Sequence, residues 1–309
     1  MSETLSPVAA GRLSERPTSP LYHYTTADGL RGIVEKKLLW ASDVQCFFND
    51  TAEYKYAASV VRDLLKEYLD EGLVATEDLY KYLLKILPFC TDARVFAGSF
   101  SEAEDKLSQW RGYCPNGGGF SVGFAPDLIE RQAKKQGFEL LKCEYDQTKQ
   151  RALCKKLIDD GRTAAKAARN QAELRVSPAQ TEAEKKLAPW VAEGVATYSN
   201  FLEPLRDIRV SAAIKHPCFS EECEWRVVRG PFVREEVVPG VKFRAGKYTV
   251  IPYLEFALAE TGEPLELEKV IIGPNPDPEQ THKSVECLLK SLGVRYKEIR
   301  EWSGTYRNL

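Results

Sequence analysis

The sequence predicts an α+β fold, in which a split antiparallel or mixed β-sheet forms the core and helices flank it. Three observations lead to this prediction. Segments with period-two alternation fall into two groups, helical segments fall before, between and after those groups, and the two kinds of segment do not alternate strictly. The 309 residues are enough for one large domain with a buried core. We therefore expect a single α+β domain over residues 20–309, preceded by a disordered N-terminal arm of residues 1–19.

The first half of the chain supplies strands and helices in blocks. After residue 26 or 28 a helix carries Leu30, Ile33 and Val34 on one face, and a second helix follows Asn49 or Asp50. A third helical stretch covers about 76–87. The predicted strands of this half are LYHYTT (21–26), LLWAS (38–42), ARVFAGSFS (93–101), FSVGF (120–124) and FELLKCEY (138–145). The polar segment between the third and fourth strands reads as a turn.

The second half returns to strands after a segment of different composition. Residues 147–203 are rich in Ala, Lys, Glu, Arg and Gln, which predicts a helical insertion. A last helix is expected at about 279–292. The predicted strands are DIRVSAAI (207–214), EWRVVRG (224–230), KYTVIPY (247–253), LEKVIIGP (267–274) and VRYKEIRE (294–301).

Composition and charge exclude several classes of protein. A net charge of -2 gives no overall attraction to nucleic acid or anionic membrane, so a nucleic-acid site would have to be a local basic patch. No apolar run reaches the ~20 residues of a membrane span, and the N-terminus lacks the apolar region of a secretory signal. We therefore expect a cytoplasmic protein with no membrane partner. Of its eight cysteines only Cys218 and Cys223 approach a paired spacing, so no metal site is predicted.

A histidine on the first strand is the first candidate functional residue. His23 stands in Tyr22-His23-Tyr24-Thr25, immediately before a helix. An imidazole at such a junction can face a cleft as a hydrogen-bond donor or acceptor. The alternative is a structural histidine that bonds the backbone.

The third strand adds hydroxyl groups. Ser99 and Ser101 share one face of the strand, where hydroxyls can hold the sugar and phosphate oxygens of a nucleotide. In the Gln109 to Tyr113 segment, Arg111 offers a planar guanidinium for phosphate. The alternative is that Trp110 packs inward and Arg111 pairs with an acid.

Two further segments, a glycine run and a pair of carboxylates, are candidates for a functional role. The glycines of Asn116-Gly117-Gly118-Gly119 permit a close backbone approach, but the run matches no phosphate-binding motif, and a hairpin turn is favoured. Glu222 and Glu224 lie two apart in a predicted strand and should point the same way. Paired carboxylates can orient a ribose hydroxyl and stabilise a cationic transition state; the alternative is a solvated edge strand neutralised by Arg226.

These blocks together resemble a widespread bacterial family catalogued as domain of unknown function 2971. The similarity extends over about 20–309, and the helical segment 147–203 is its least similar part. The matching blocks are Tyr22 to Thr25, Leu39 to Ser42, Asn49-Asp50-x-x-Glu53, Gln109 to Tyr113, Gly118 to Phe124, Phe219-x-x-Glu222-x-Glu224-Trp225-Arg226, residues 270–274, and Tyr306-Arg307. Members tend to occur in mobile or defence regions, which implies a toxin or an anti-phage defence component.

The order of the polar residues is also similar to that of ADP-ribosyltransferases. That resemblance implies that His23 holds the nicotinamide-side ribose of NAD, that an aromatic residue stacks on nicotinamide, and that Glu224, with Glu222, is catalytic. NAD would then be a substrate, and the acceptor a protein, a nucleic acid or water. The residues that would bind NAD on this interpretation are His23, Tyr24, Thr25, Ser99, Ser101, Trp110, Arg111, Tyr113 and Arg226.

Two other functions fit the same sequence. One is a nucleotide- or nucleic-acid-binding defence effector without transferase activity, in which Arg111, Arg226, Arg307 and the basic residues of 149–175 contact phosphates. The other is a module that binds a partner protein through the helical insertion.

Overall fold

A single mostly antiparallel sheet of ten strands dominates the computed structural model, which describes residues 15–46, 51–72, 94–114, 118–156, 158–159, 212–232, 237–246 and 248–304. The strands are β1 (Leu21–Thr25), β2 (Leu38–Asp43), β3 (Arg94–Ser101), β4 (Phe120–Phe124), β5 (Glu139–Lys142), β6 (Glu224–Phe232), β7 (Lys242–Ala245), β8 (Val250–Ala257), β9 (Glu266–Ile272) and β10 (Arg295–Glu301). The helices are α1 (Ala27–Lys36), α2 (Thr51–Asp70), α3 (Leu107–Tyr113), α4 (Pro126–Gln136) and α5 (Pro278–Ser291), with short 3₁₀ turns at Val44–Cys46 and Pro217–Glu222. The predicted α+β class is confirmed.

The sheet branches at β3. Along the main path the order is β10-β9-β4-β1-β3-β2-β8-β7, while β6 pairs with β3 outside this path and β5 pairs with β6. The β9–β10 pair is parallel, and the other strand pairs are antiparallel. Strands β1 and β2 therefore share one long edge of β3, and β6 takes the other.

Strands β1 and β2 separate along that shared edge. Strand β2 pairs with β3 at Ala97 and Phe96, whereas β1 pairs with it at Ser101 alone. Between these points no strand of the described chain pairs with this edge of β3. The sheet is therefore split beside residues 98–100.

The core explains why β3 reads as a nearly continuous apolar run. Phe96 and Phe100 belong to one buried cluster, together with Trp225, while Val95 and Ala97 belong to another. Because alternate residues of a strand point to opposite faces, β3 is buried on both sides.

Local signals position the helix that borders the split. The Thr26 side chain accepts a hydrogen bond from the Gly29 amide at 3.2 Å and caps α1. The apolar face of α1 is buried, and the helix ends at Lys37 in the left-handed conformation. The chain then turns directly into β2, so that β1, α1 and β2 frame the gap.

Several sequence predictions were wrong in detail. The segment from Leu107 to Tyr113 is a short helix, not a turn. Of the glycine run predicted as a hairpin turn, Gly118 and Gly119 lie just before β4, and Asn116 and Gly117 lie outside the described residues. Ala212 and Ala213 lie in a 3₁₀ turn, and the strand predicted to start at 247 begins at Val250. Helix α4 and strand β7 were not predicted.

Other predictions fall on residues outside the described chain. These are the helix at 76–87, the arm over 1–14, Arg307, and the insertion from 160 to 203, although residues 147–156 and 158–159 are helical as expected. Of the arm, Glu15 lies 3.4 Å from Lys142, and Arg16 lies 3.9 Å from Glu130. Among the described helices, none combines the length and apolar character needed to cross a membrane.

Candidate small-molecule site

A cavity of about 530 Å³ lies in the split between β1 and β2. Its volume falls within the ~300–1,000 Å³ of small-molecule and cofactor pockets. Residues 97–101 of β3 run along it, and α1 contributes one side. Eight residues predicted from the sequence contact it: His23, Tyr24, Thr25, Ser99, Ser101, Tyr113, Glu222 and Glu224. The structure therefore brings together side chains that are up to 200 residues apart in the chain.

His23 bridges the gap in the sheet. Its Nδ1 lies 2.9 Å from the backbone carbonyl oxygen of Ser99. Because a carbonyl oxygen can only accept, Nδ1 donates, and in the neutral ring Nε2 is then the acceptor. Burial lowers the pKa of His23 below its ordinary value of 6.5, and the bond to Ser99 offsets this only in part. The ring is thus held neutral with an acceptor nitrogen.

We expect His23 to remain the neutral Nδ1–H tautomer at pH 6.5. The reason is that protonation would place a charge in the buried gap, where it is poorly solvated. Long-range ¹⁵N–¹H NMR of the imidazole nitrogens measures this directly, and the exposed His216 serves as an internal control. A doubly protonated His23 ring at pH 6.5, or an Nε2–H tautomer, would contradict this account of the site.

The two serines of β3 have different roles. The Ser101 hydroxyl donates to the Glu222 carbonyl oxygen at 2.6 Å and accepts from the Ala103 amide at 3.0 Å. Ser101 therefore fixes the turn that carries Glu222. Ser99 holds His23 through its backbone, and its side chain borders the cavity.

The two carboxylates reach the site by an unexpected backbone route. Glu222 ends a 3₁₀ turn, Cys223 adopts a left-handed conformation with φ 44°, and Glu224 starts β6. The prediction that both lie in one strand and point the same way by alternation was therefore wrong. They still meet, because both contact the Lys215 ammonium.

Glu224 sits in a buried cluster of charges. Its Oε2 accepts from Lys215 at 2.7 Å, and its Oε1 accepts from the Arg226 Nε at 2.8 Å. A second Arg226 nitrogen lies 3.0 Å from Oε2, and the Cys143 thiol lies 3.7 Å from it. A carboxylate offers about four acceptor positions, two on each oxygen; three of these contacts fall on Oε2 and one on Oε1.

The pKa of Glu224 reflects this cluster. Burial on its own would raise the pKa of Glu224. The positive charges of Arg226 and Lys215 outweigh this effect and lower the pKa to about 2. Glu224 is therefore ionised throughout the physiological range.

Glu222 is the more accessible carboxylate of the pair. Its side chain is 16% exposed, against 4% for Glu224. The Tyr113 hydroxyl lies 3.4 Å from Glu222 Oε2, and Tyr113 is itself exposed beside the cavity. Glu222 and Tyr113 can therefore meet a ligand without dismantling the buried cluster.

Three predicted residues do not contact the cavity. Trp110 is buried against Tyr24 and donates to Asp105 at 2.9 Å, as its alternative interpretation proposed. Arg111 lies in α3 and is absent from the cavity lining. Arg226 is 4% exposed and neutralises Glu224, so its guanidinium is not presented to a phosphate.

Sequence reasoning missed several residues of the site, among them Lys215, Lys36, Trp40 and Arg244. Lys215, which lies between the two carboxylates, follows an apolar Ala-Ala-Ile run, where a lysine carries no motif. Lys36, Trp40 and Arg244 border the cavity, on α1, β2 and β7. The alternation of KFRA in β7 was the available signal for Arg244, but four residues are too few to identify a strand.

Comparison with known proteins identifies part of the chain. Residues 109–227 match a family model described as Protein of unknown function (DUF2971). The match confirms the family resemblance over these residues, which make up less than half of the chain. It includes Tyr113, Glu222 and Glu224, whereas His23 and Ser99 precede the matched residues. No curated protein and no solved structure matches the chain.

Proposed function

We propose that the cavity binds NAD and that the protein is an ADP-ribosyltransferase-like enzyme or an NAD glycohydrolase. The observation that carries this proposal is the convergence of His23, Ser99, Glu222 and Glu224 on one cavity in the split of the sheet. A split sheet with this order of residues is also what the resemblance to ADP-ribosyltransferases implies for the fold.

His23 and Glu222 suit the two hydroxyls of a ribose. The Nε2 of a neutral His23 accepts from one hydroxyl, because Nδ1 is committed to Ser99. The Glu222 carboxylate accepts from the other. Such paired acceptors orient a sugar and add negative charge beside its anomeric carbon.

The reaction requires only charge stabilisation from these groups. The bond between ribose C1′ and the nicotinamide nitrogen breaks, and its electron pair leaves with neutral nicotinamide. The resulting oxocarbenium-like ribose is stabilised by the Glu222 carboxylate, as carboxylates stabilise glycosyl cations in glycosidases. Water or an acceptor side chain then forms the new bond to C1′ and loses a proton.

In this proposal Glu224 does not contact the substrate but positions Glu222. Its carboxylate holds Lys215, which in turn holds Glu222. Tyr113, exposed beside Glu222, is the aromatic residue suited to cover the nicotinamide ring. A toxin or anti-phage role, a cytoplasmic location and the identity of the acceptor stay predictions.

The competing nucleic-acid function has less support from the site. Arg226 is occupied by Glu224, and Arg307 lies outside the described residues. No contact of the described chain favours the partner-binding function, because most of the predicted insertion is not described.

Binding of a non-cleavable NAD analogue tests the proposal. We expect calorimetry with carba-NAD to show binding to the wild type and a several-fold weaker affinity for His23→Ala, the loss of one hydrogen bond at ~0.5–1.5 kcal/mol. His282 is a half-buried histidine on α5 that is absent from the cavity lining, and His282→Ala is the matched control. If the wild type does not bind carba-NAD, or if both variants bind it as the wild type does, the proposed site is refuted.

A further inference from the structure

A partly buried guanidinium, which has no acid partner among the described residues, borders the cavity. Arg244 donates to the Ser42 hydroxyl at 3.3 Å. Its Nε is buried and has no hydrogen-bond partner, and within the described chain no carboxylate lies in ion-pair range of it. A buried donor without an acceptor is costly, so this arginine fits a site whose anion comes from a ligand.

Trp40 and Lys36 lie beside this arginine. The guanidinium carbon of Arg244 is 5.8 Å from the Trp40 ring centroid, and the Lys36 ammonium is 5.9 Å from it. The ring is 42% exposed, and all three side chains border the cavity. Two cations gathered at one exposed aromatic ring make this part of the cavity positive.

The positive region is separate from the two carboxylates. Ser42, the partner of Arg244, pairs with Ala97 of β3, whereas Glu224 pairs with Ser101. Four residues of strand at ~3.3 Å each place these positions about 13 Å apart. The cavity therefore has an acidic end, at Glu222 and Glu224, and a basic end, at Arg244.

We propose that Arg244, with Lys36 and Trp40, forms a subsite for the phosphate groups of a nucleotide ligand. The inference deepens the proposed function, because it assigns the diphosphate of NAD to the basic end while the reacting ribose lies at the acidic end. Arg244 donates to phosphate oxygens, Lys36 adds a second positive charge, and Trp40 offers a face for a base or sugar.

Calorimetric titration with ADP-ribose and with inorganic pyrophosphate tests this subsite. We expect both to bind the wild type, with an affinity that falls as salt is added. Arg244→Gln should weaken both by on the order of tenfold or more, the loss of a charged hydrogen bond. Lys36→Gln should weaken both several-fold. Lys242 is an exposed lysine on the same strand as Arg244, and it pairs with Glu255. The control variant Lys242→Gln should bind both probes as the wild type does.

Each outcome separates the subsite from the proposed reaction. Binding of ADP-ribose through Arg244 without any cleavage of NAD supports the subsite and contradicts the enzyme. If Arg244→Gln cleaves NAD with an unchanged KM and binds ADP-ribose as the wild type does, the subsite alone is overturned. Failure of the wild type to bind either probe also overturns the subsite. If Arg244→Gln does not fold, the exposed Lys36→Gln decides, and wild-type affinity in that variant overturns the proposal.

Discussion

Replacing Lys215 with methionine is expected to destabilise the protein by about 3–5 kcal/mol, the typical cost of removing one partner from a buried ion pair. The Lys215 side chain is 1% exposed and contacts both Glu222 and Glu224. In the wild type two carboxylates face two cations, since Arg226 also binds Glu224. Without Lys215 one negative charge stays buried and uncompensated. Urea unfolding at pH 7 measures the change in the free energy of unfolding.

The pH dependence of this change tests its electrostatic origin. The pKa of Glu224, about 2, lies below its ordinary 4.5, so its contribution to stability is present above pH 4.5 and is lost as the pH falls toward 2. In Lys215→Met, protonation of a carboxylate relieves the excess charge, so the deficit relative to the wild type should shrink at acidic pH. Lys283→Met removes an exposed helical ion pair and should change stability by less than about 0.5 kcal/mol. A Lys215 variant as stable as the wild type would show that the cluster is not what holds the two carboxylates.

Glu222→Gln is expected to lower the rate of NAD cleavage by about 10²–10³-fold, the usual effect of removing one group that stabilises charge in a transition state. The substitution keeps an oxygen that can accept from Lys215, so the variant should fold. Stopped assays of free nicotinamide give kcat, and thermal unfolding reports the fold. Glu221→Gln, an exposed neighbour in the same 3₁₀ turn, is the matched control and should keep the wild-type rate.

The two carboxylates should behave differently. Glu224→Gln removes the charge that holds both Arg226 and Lys215, so its main effect should be on stability and on the alignment of Glu222. If Glu222→Gln cleaves NAD at the wild-type rate while a folded Glu224→Gln is inactive, the assignment of Glu222 as the contacting group is wrong.

Much of the fold follows from local signals in the sequence. The alternation of FSVGF and the apolar run of β3 predict strands that the structure contains, and α5 begins at Pro278 after an Asp277 cap, within one residue of its prediction. Helix α4 had comparable signals, with Pro126 at its first turn and Gly137 left-handed at its end. Of its three buried residues, Ile129, Gln132 and Ala133, only Ile129 is strongly apolar, so its buried face gave little hydrophobic signal.

The rest depends on contacts that no local pattern encodes. Strand β7 buries none of its four residues and is defined by its pairing with β8. The position of Glu222 depends on the left-handed Cys223 and on the Ser101 hydroxyl, which is more than a hundred residues away. Lys215 and Arg244 were missed for the same reason, because their neighbours in space are distant in the chain.

Convergence of the candidate residues was foreseeable only in part. His23, Ser99 or Ser101, and Glu224 were predicted as one set from their order, and the structure places all four beside one cavity. Arg226 was predicted as a phosphate ligand or, in the alternative, as the residue that neutralises the two acids, and its side chain contacts Glu224. The order of residues in the sequence therefore indicated the site. The geometry was needed to assign Glu222 as the carboxylate that contacts the ligand and Glu224 as the one that positions it.

Release of free nicotinamide from NAD tests the central claim most directly. Purified wild-type protein would be incubated with NAD, with and without cell extract as a source of acceptor, and nicotinamide would be measured by chromatography beside Glu222→Gln and Glu221→Gln. The account predicts release by the wild type and Glu221→Gln, and loss of release in Glu222→Gln. No release by folded wild-type protein under either condition would contradict it.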